Sequence, residues 1–246
     1  MSLPVFHLPD LAGAVVGHPV ELTGDEARHA VVVRRIRVGQ RVALTDGVGT
    51  TVVGTVAETH KSSLTATVVE LIETPRESPR VVVVQAIPKG DRGELAVEML
   101  TEVGVDEIVP WAASRSVAVW RGERAAKSLT KWRTTAREAA KQSRRAWFPT
   151  VAEMVQTPEV VARLRDADLA VVLHEDGSKP LAGLEVPVKG DVVVVVGPEG
   201  GISDEEVAAF AEAGAEPVRL GSSVLRTSTA GVAAAAALLS RTPRWT

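Results

Sequence analysis

Two short glycine-rich segments in the C-terminal half concentrate the residues able to do chemistry. In the first, residues 192–207 read VVVVVGPEGGISDEEV: a run of valines enters Gly197-Pro198-Glu199-Gly200-Gly201 and then an acidic, helix-like stretch. A buried strand ending in such a loop brings a ligand to the backbone at the carboxyl edge of a parallel sheet. A phosphate loop is excluded, because Ile202 and Ser203 follow Gly201 where a lysine and a Ser/Thr must reach phosphates and metal. A dinucleotide fingerprint is excluded too, since Gly197, Gly200 and Gly201 do not have G-x-G-x-x-G spacing. Asp204, Glu205 and Glu206 fill the first turn of the next helix and repel an anion there. A cationic or zwitterionic ligand, reached through backbone groups, is the expectation; a plain turn without ligand is the competing reading.

The second segment, residues 219–239, reads RLGSSVLRTSTAGVAAAAALL, again strand, loop and helix. Thr227, Ser228 and Thr229 offer N-cap hydroxyls. The alanines that follow have high helix propensity, and a helix so poor in side-chain bulk can also lie close against another. By type, Arg226 supplies a cation, while Glu199 and His174 are possible general bases. The chain has no cysteine, so disulfides and thiolate metal sites are excluded. His7, His18, His29, His60 and His174 are scattered without ligand spacing, so no metal is expected.

The elements that must hold these loops follow from periodicity. Residues 1–73 read as β-rich: RVALTDGVGTTVVGTVAETH and SSLTATVVEL nearly alternate, with Asp46-Gly47 as a hairpin turn. TPRESPR, residues 74–80, has the prolines of a linker. From residue 81 strands alternate with helices. The strands are RVVVVQAI, DEIVPW, ADLAVVLHE, DVVVVVG and EPVRLG. The helices are RGELAVEMLTEVG stopped by Gly104, a long one over 124–145, SDEEVAAFAEAG and TSTAGVAAAAALLS. SDEEVAAFAEAG begins with a Ser203/Glu206 capping box and ends at Gly214. Continuous apolar strands alternating with helices imply an α/β fold with a parallel sheet covered on both faces. The apolar runs are too short to span a bilayer and the N-terminus has no signal-peptide pattern, so a soluble, cytoplasmic protein without membrane contact is expected.

A net charge of −3 hides an asymmetry. Residues 121–145 hold nine Lys/Arg against two Glu, whereas residues 151–217 hold fourteen Asp/Glu against four Lys/Arg. The basic stretch is a candidate polyanion site. Within it Arg133, Arg137, Lys141 and Arg145 repeat every four residues and share one helix face. Arg28, Arg34, Arg35 and Arg37 make a second patch near the start of the chain. Trp111, Trp120, Trp132 and Trp147 are either stacking platforms or core residues.

GPEGGIS together with LGSSVLRTSTA resembles the RsmE family of 16S rRNA uracil-N3 methyltransferases, in the SPOUT superfamily. PKGDRGELAVEMLTEVGVDEIVP, SRSV and KWRTTAREAAKQSRR resemble family blocks in the same order, and RHAVVVRRIRVGQRVALTDGVG resembles the opening of the family's small barrel. The resemblance covers nearly the whole chain. It implies a trefoil-knotted SPOUT methyltransferase domain at 81–246, a PUA-like β-barrel RNA-binding domain at 1–73, a homodimer, and S-adenosylmethionine as methyl donor without metal. The donor site then maps to Leu173, His174 and Glu175; to Gly197, Pro198, Glu199, Gly200, Gly201 and Ile202; and to Leu220, Gly221, Ser222, Val224, Leu225 and Thr227. RNA contacts map to Arg28, Arg34 and Arg35, to Lys89, Arg92 and Arg115, and to Arg133, Arg137, Lys141, Gln142, Arg144 and Arg145. The implied partner is 16S rRNA, within an assembled small subunit.

Methylation at uracil N3 requires loss of the N3 proton and in-line attack on an activated methyl, so positioning supplies much of the rate. A cation beside the uracil carbonyls favours the anionic base in the transition state, which makes Arg226 the first catalytic candidate and Glu199 the second. Departures from the family pattern are Ser228 in place of a glutamate, Val103 in a block that usually reads TELG, and a single histidine, His29, in the barrel motif. Two alternatives stay open: a knotted methyltransferase acting on ribose 2′-O or another RNA, and a ribosome assembly factor without turnover.

Overall fold

The computed structural model describes residues 3–245. They form two compact units, one of residues up to Arg76 with Ala140–Phe148, the other of Glu77–Ala139 with the residues from Pro149 onward.

The first unit contains β1 (Val5–His7), β2 (Pro19–Thr23), α1 (Gly24–Arg28), a π-helical turn (His29–Val33), β3 (Arg41–Thr45), β4 (Thr50–His60) and β5 (Ser63–Glu73). The sheet order is β1-β3-β4-β5-β2; β1 runs parallel to β3 and the other pairs are antiparallel. Alternation places Leu64, Ala66 and Val68 of β5 inward against Phe6, Leu22, Leu44 and Val52. The Asp46-Gly47 turn forms as its chemistry demands. Asp46 Oδ1 accepts from the amides of Val48 at 2.8 Å and Thr50 at 2.9 Å, and Gly47 takes φ 74°, which a glycine adopts without penalty. Strands β1 and β2 and helix α1 are too short to leave a periodic signal and were not expected.

The second unit contains β6 (Arg80–Ala86), α2 (Arg92–Val103), β7 (Glu107–Trp111), most of α3 (Gly122–Gln142), β8 (Thr150–Val151), α4 (Thr157–Arg165), β9 (Leu169–Leu173), β10 (Lys179–Pro180), β11 (Asp191–Val196), α5 (Asp204–Glu212), β12 (Glu216–Arg219) and α6 (Thr227–Leu239). Its seven strands pair in the order β10-β12-β9-β11-β6-β7-β8, every pair parallel. This is the parallel α/β sheet that the strand and helix alternation implied. The valine run explains why helices cover both faces. Val192, Val194 and Val196 enter a core with Val97 and Leu100 of α2, Trp132 of α3 and Leu238 of α6. Val193 and Val195 enter a second core with Leu164 of α4 and Phe210 of α5. Burying each such side chain contributes about 1.5–3 kcal/mol.

Helix ends follow backbone chemistry. After α2, Gly104 takes φ 107° while Val105 N donates to Leu100 O at 3.0 Å and Gly104 N to Thr101 O at 3.2 Å, a Schellman closure. Gly214 at φ 92° ends α5 in the same way, with Ala215 N on Phe210 O at 3.0 Å. Helix α3 was expected to reach residue 145 but stops at Gln142. Arg144 enters the left-handed region at φ 57°, and the amides of Arg145 and Arg144 turn back to Ala140 O and Lys141 O. Helix α4 was not expected, although Gln156 and Glu159 form a capping box and Pro158 sits in its first turn. Because all seven strands are parallel, the loops leaving β6, β7, β9, β11 and β12 emerge at one edge of the sheet.

Candidate active site

That edge gathers the segments on which the sequence placed its chemistry. Loop 197–203 leaves β11, and loop 220–226 leaves β12 and enters α6. They are tied together from below. Thr227 Oγ1 donates to Gly197 O at 2.8 Å and accepts from Gln85 Nε2 at 3.0 Å. Gln85, fully buried at the end of β6, also donates to Ala86 O at 3.1 Å. Among the described residues its Oε1 is buried without a hydrogen-bond partner, which costs about 1–3 kcal/mol. The hydroxyls expected to cap α6 do not do so. The N-cap is Arg226, with no side-chain cap, because the Thr227 hydroxyl is committed to Gly197.

The GPEGG loop is held from both sides. On one side Glu199 Oε1 accepts from Lys89 N at 3.1 Å and from Arg92 Nη1 at 3.2 Å, so this carboxylate clasps the loop leaving β6. On the other, a Cβ on Gly200 would lie 2.9 Å from Arg115 O, so the close approach of Arg115 requires glycine there. Arg115 Nη1 in turn donates to Ile202 O at 3.3 Å.

Glu206 anchors this second side. The expected capping box is present, with Glu206 N on Ser203 Oγ at 3.2 Å and Ser203 N on Glu206 Oε2 at 3.1 Å. The same carboxylate, 5% exposed, also accepts from Ser114 N and Ser114 Oγ, both at 2.9 Å, and from Thr157 Oγ1 at 3.0 Å. Burial alone pushes the Glu206 carboxyl up, but these donors outweigh it and hold the group below its ordinary range. At exposed Glu205 its own backbone hydrogen bond and the Ser203 hydroxyl hold the carboxyl low as well.

Loop 173–178 leaves β9 beside β12. His174 N donates to Val218 O at 2.9 Å, and a Cβ on Gly177 would lie 2.6 Å from the Val218 carbonyl carbon. His174 Nδ1 accepts from Asp176 N at 3.2 Å. A neutral imidazole with Nδ1 accepting carries its proton on Nε2, so its outer nitrogen presents a donor rather than a base. Leu173 and His174 are half-buried and Glu175 is exposed. Residues 221–226 are exposed, Val224 at 78% and Leu225 at 40%. Among the described residues the Arg226 guanidinium makes no ion pair.

The expected RNA-contact residues separate into groups. In the first unit Arg28, Arg34, Arg35, Gln142 and Arg144 are exposed, and Arg145 is half-buried beyond the end of α3. Lys141 is turned inward: it is 5% exposed and its Nζ lies 2.5 Å from Glu26 Oε1. The four-residue run expected to share one open face is therefore broken at Lys141, since the face that carries it packs onto Glu26. Arg133 and Arg137 remain exposed, Arg133 bonded to Glu153 at 2.9 Å and to Val151 O at 3.1 Å. Lys89, Arg92 and Arg115 stand at the sheet edge described above. Trp111, Trp120 and Trp132 are buried core residues, while half-buried Trp147 lies 4.7 Å from the Arg76 guanidinium.

A family model for an RNA methyltransferase domain matches residues 76–239, and one for an RNA methyltransferase PUA domain matches residues 22–69. Ribosomal RNA small subunit methyltransferase E of Mycobacterium tuberculosis is 43% identical over 242 residues, 97% of this chain and 90% of the relative. The chain belongs to the RsmE family. The RsmE protein of Bacillus subtilis is 30% identical over 88% of each chain. The crystal structure of the Neisseria gonorrhoeae RsmE protein, bound to S-adenosyl methionine, superposes with a TM-score of 0.88 at 30% identity, covering 97% of this chain and 98% of that one. The expected parallel α/β sheet and PUA-like N-terminal domain are both present. Two residues of this RsmE site escaped sequence reading. Gln85 had one signal, a polar residue inside an otherwise apolar strand. The capping role of Glu206 was legible, but its contacts to Ser114 and Thr157 join segments 92 and 49 residues away.

Proposed function

We propose that this chain transfers a methyl group from S-adenosylmethionine to N3 of one uridine in 16S rRNA. The observation that carries the reading is the joining of loops 197–203 and 220–226 through Thr227 and Gly197, in a chain that belongs to the RsmE family. The residues suit the donor. Gly201 is exposed, and a Cβ on Gly221 would meet nothing within 4 Å, so adenosine can lie against open backbone. Asp204 and Glu205 are exposed nearby and complement a sulfonium charge.

Leu173–Glu175, Gly197–Ile202 and Leu220–Leu225 with Thr227 would hold the donor. When bound, it supplies an activated methyl carbon on sulfur. Arg226, the N-cap of α6, would set its guanidinium beside the uracil carbonyls and stabilise the base as N3 becomes anionic. Glu199 acts by fixing the GPEGG loop to Lys89 and Arg92, and His174 presents its Nε2–H as a donor. The reading includes the family's knotted threading, which rests on family membership. It also includes residues 1–73 as an RNA-binding domain, 74–80 as linker and 81–246 as the methyltransferase domain, a homodimer, and action on assembled small subunits in the cytoplasm.

The test is transfer of labelled methyl to unmodified 16S rRNA and to assembled small subunits, with the site mapped by reverse transcription, which an N3 methyl blocks. A stop at one uridine is expected, and label without a stop would exclude methylation at N3 and overturn the reading. Arg226→Ala is expected to keep donor binding and lose about 10²–10³-fold in turnover; normal turnover removes Arg226 from the mechanism.

A further inference from the structure

Gln85 stands fully buried near the end of the valine-rich strand β6. In the sheet it lies beside Val196 of β11, the residue before Gly197. Its side chain reaches Thr227, the first residue of α6 and 142 residues later in the chain. The surroundings fix which way its amide points. Nε2 donates to Ala86 O at 3.1 Å and to Thr227 Oγ1 at 3.0 Å. Turning the amide over would set its oxygen against the Ala86 carbonyl, which can only accept.

A threonine hydroxyl has one proton to give. Because Thr227 Oγ1 accepts from Gln85, that proton points to Gly197 O, 2.8 Å away. Gln85 thus sets the direction of a hydrogen bond in which it takes no part. The bond lies where loop 197–203 leaves the sheet. Just beyond it Gly201 N closes on Pro198 O at 3.0 Å. Ile202 folds back over Gly197, where a Cβ would lie 2.7 Å from Ile202 Cγ1. A shift of the Gly197 carbonyl is therefore passed on to Gly201 and Ile202.

Keeping this amide costs stability. Among the described residues Gln85 Oε1 is buried without a partner, and an unsatisfied group in a native core calls for a reason. Helix α6 lies close over it: a Cβ on Gly231 would meet Leu100 Cδ2 at 3.2 Å, Val196 Cγ2 at 3.3 Å and Gln85 Oε1 at 3.6 Å. Methionine fills about the same volume and carries no polar N or O atom into the core. A glutamine retained there gives up stability where it brings order to a functional loop.

We propose that Gln85 is a positioning residue of the donor site. Through the Thr227 hydroxyl it holds the Gly197 carbonyl, and with it loop 197–203, in the form that receives S-adenosylmethionine. A loop already in its bound form loses less entropy when the ligand arrives. The assignment of this loop to the donor rests on the function proposed above.

The test compares the full native chain with Gln85→Met, Thr227→Val and the double variant. Each is followed by thermal unfolding, by calorimetric titration with S-adenosylmethionine, and by backbone amide hydrogen exchange without donor. Gln85→Met is expected to melt within about 4 °C of the native chain, yet to bind the donor about three- to tenfold more weakly. Exchange is expected to rise at Gly201 and to stay unchanged at Val194 in the middle of β11, a split that a purely structural role would not give. Because both substitutions break one relay, the double variant is expected to bind no worse than Thr227→Val alone. Native affinity in Gln85→Met overturns the proposal, and so do affinity losses that add in the double variant. Exchange that rises equally in β11 and in the loop also overturns it, since that marks a general loss of packing. If the native chain itself binds no donor, the donor reading fails, and exchange at Gly201 in Gln85→Met still decides whether Gln85 holds the loop.

Discussion

Glu206 offers the sharpest test of how the site is held. Its Oε1 accepts from Ser114 N and Thr157 Oγ1, and its Oε2 from Ser203 N and Ser114 Oγ. Each oxygen therefore faces one backbone N–H and one hydroxyl. In Glu206→Gln, either flip of the amide sets NH2 against a backbone N–H. A hydroxyl can rotate to accept, but a backbone amide cannot. One buried N–H thus loses its acceptor, at about 1–3 kcal/mol. Glu206→Ala strips both amides, both hydroxyls and the helix cap, at about 3–5 kcal/mol. For a chain of this size, about 2–4 °C per kcal/mol makes the alanine variant melt roughly 6–20 °C lower and the glutamine variant roughly 2–12 °C lower.

The assay is thermal and urea unfolding followed by near-UV circular dichroism, because Trp111 Nε1 bonds the same Thr157 hydroxyl at 3.3 Å. Acid supplies an internal control. The Glu206 carboxyl is held below its ordinary value in the folded chain, so its stabilisation is present above the unfolded carboxylate value, about 4.3. That stabilisation is lost as pH falls through the lowered folded value. The gap between the native chain and Glu206→Gln should therefore narrow with acid. A glutamine variant as stable as the native chain at neutral pH, or a gap unaffected by acid, would refute the hydrogen-bond account.

Two further predictions follow from the geometry. Gly200→Ala puts a methyl 2.9 Å from Arg115 O, so it should cost about 1–3 kcal/mol and weaken donor binding in calorimetry; unchanged affinity would mean that Arg115 yields freely. Lys141→Met leaves Glu26 without the cation 2.5 Å away, and should destabilise the chain by about 3–5 kcal/mol. The opposite outcome, full stability with weakened RNA binding, would make Lys141 an RNA contact after all.

Local chemistry determined what the sequence alone could tell. The valine run, read with the helices around it, called for a sheet covered on both faces, because alternate side chains of one buried strand must enter two cores. Gly104 and Gly214 announced helix ends because a left-handed residue is required there, and Asp46-Gly47 announced a hairpin for the same reason. The two glycine-rich segments were legible as strand-to-helix loops because each follows a strand and precedes a helix signal. Tertiary structure decided what depends on residues distant in the chain. Lys141 belongs to a basic run in sequence, but Glu26, 115 residues earlier, turns it into a buried ion pair. Thr227 reads as a helix cap until Gly197 and Gln85 claim its hydroxyl, and Glu206 reads as a capping residue until Ser114 and Thr157 share its carboxylate. Each outcome is a competition among hydrogen-bond partners, and in a buried place the partner brought by the fold wins because an unpaired polar group there costs more than the local bond forgone.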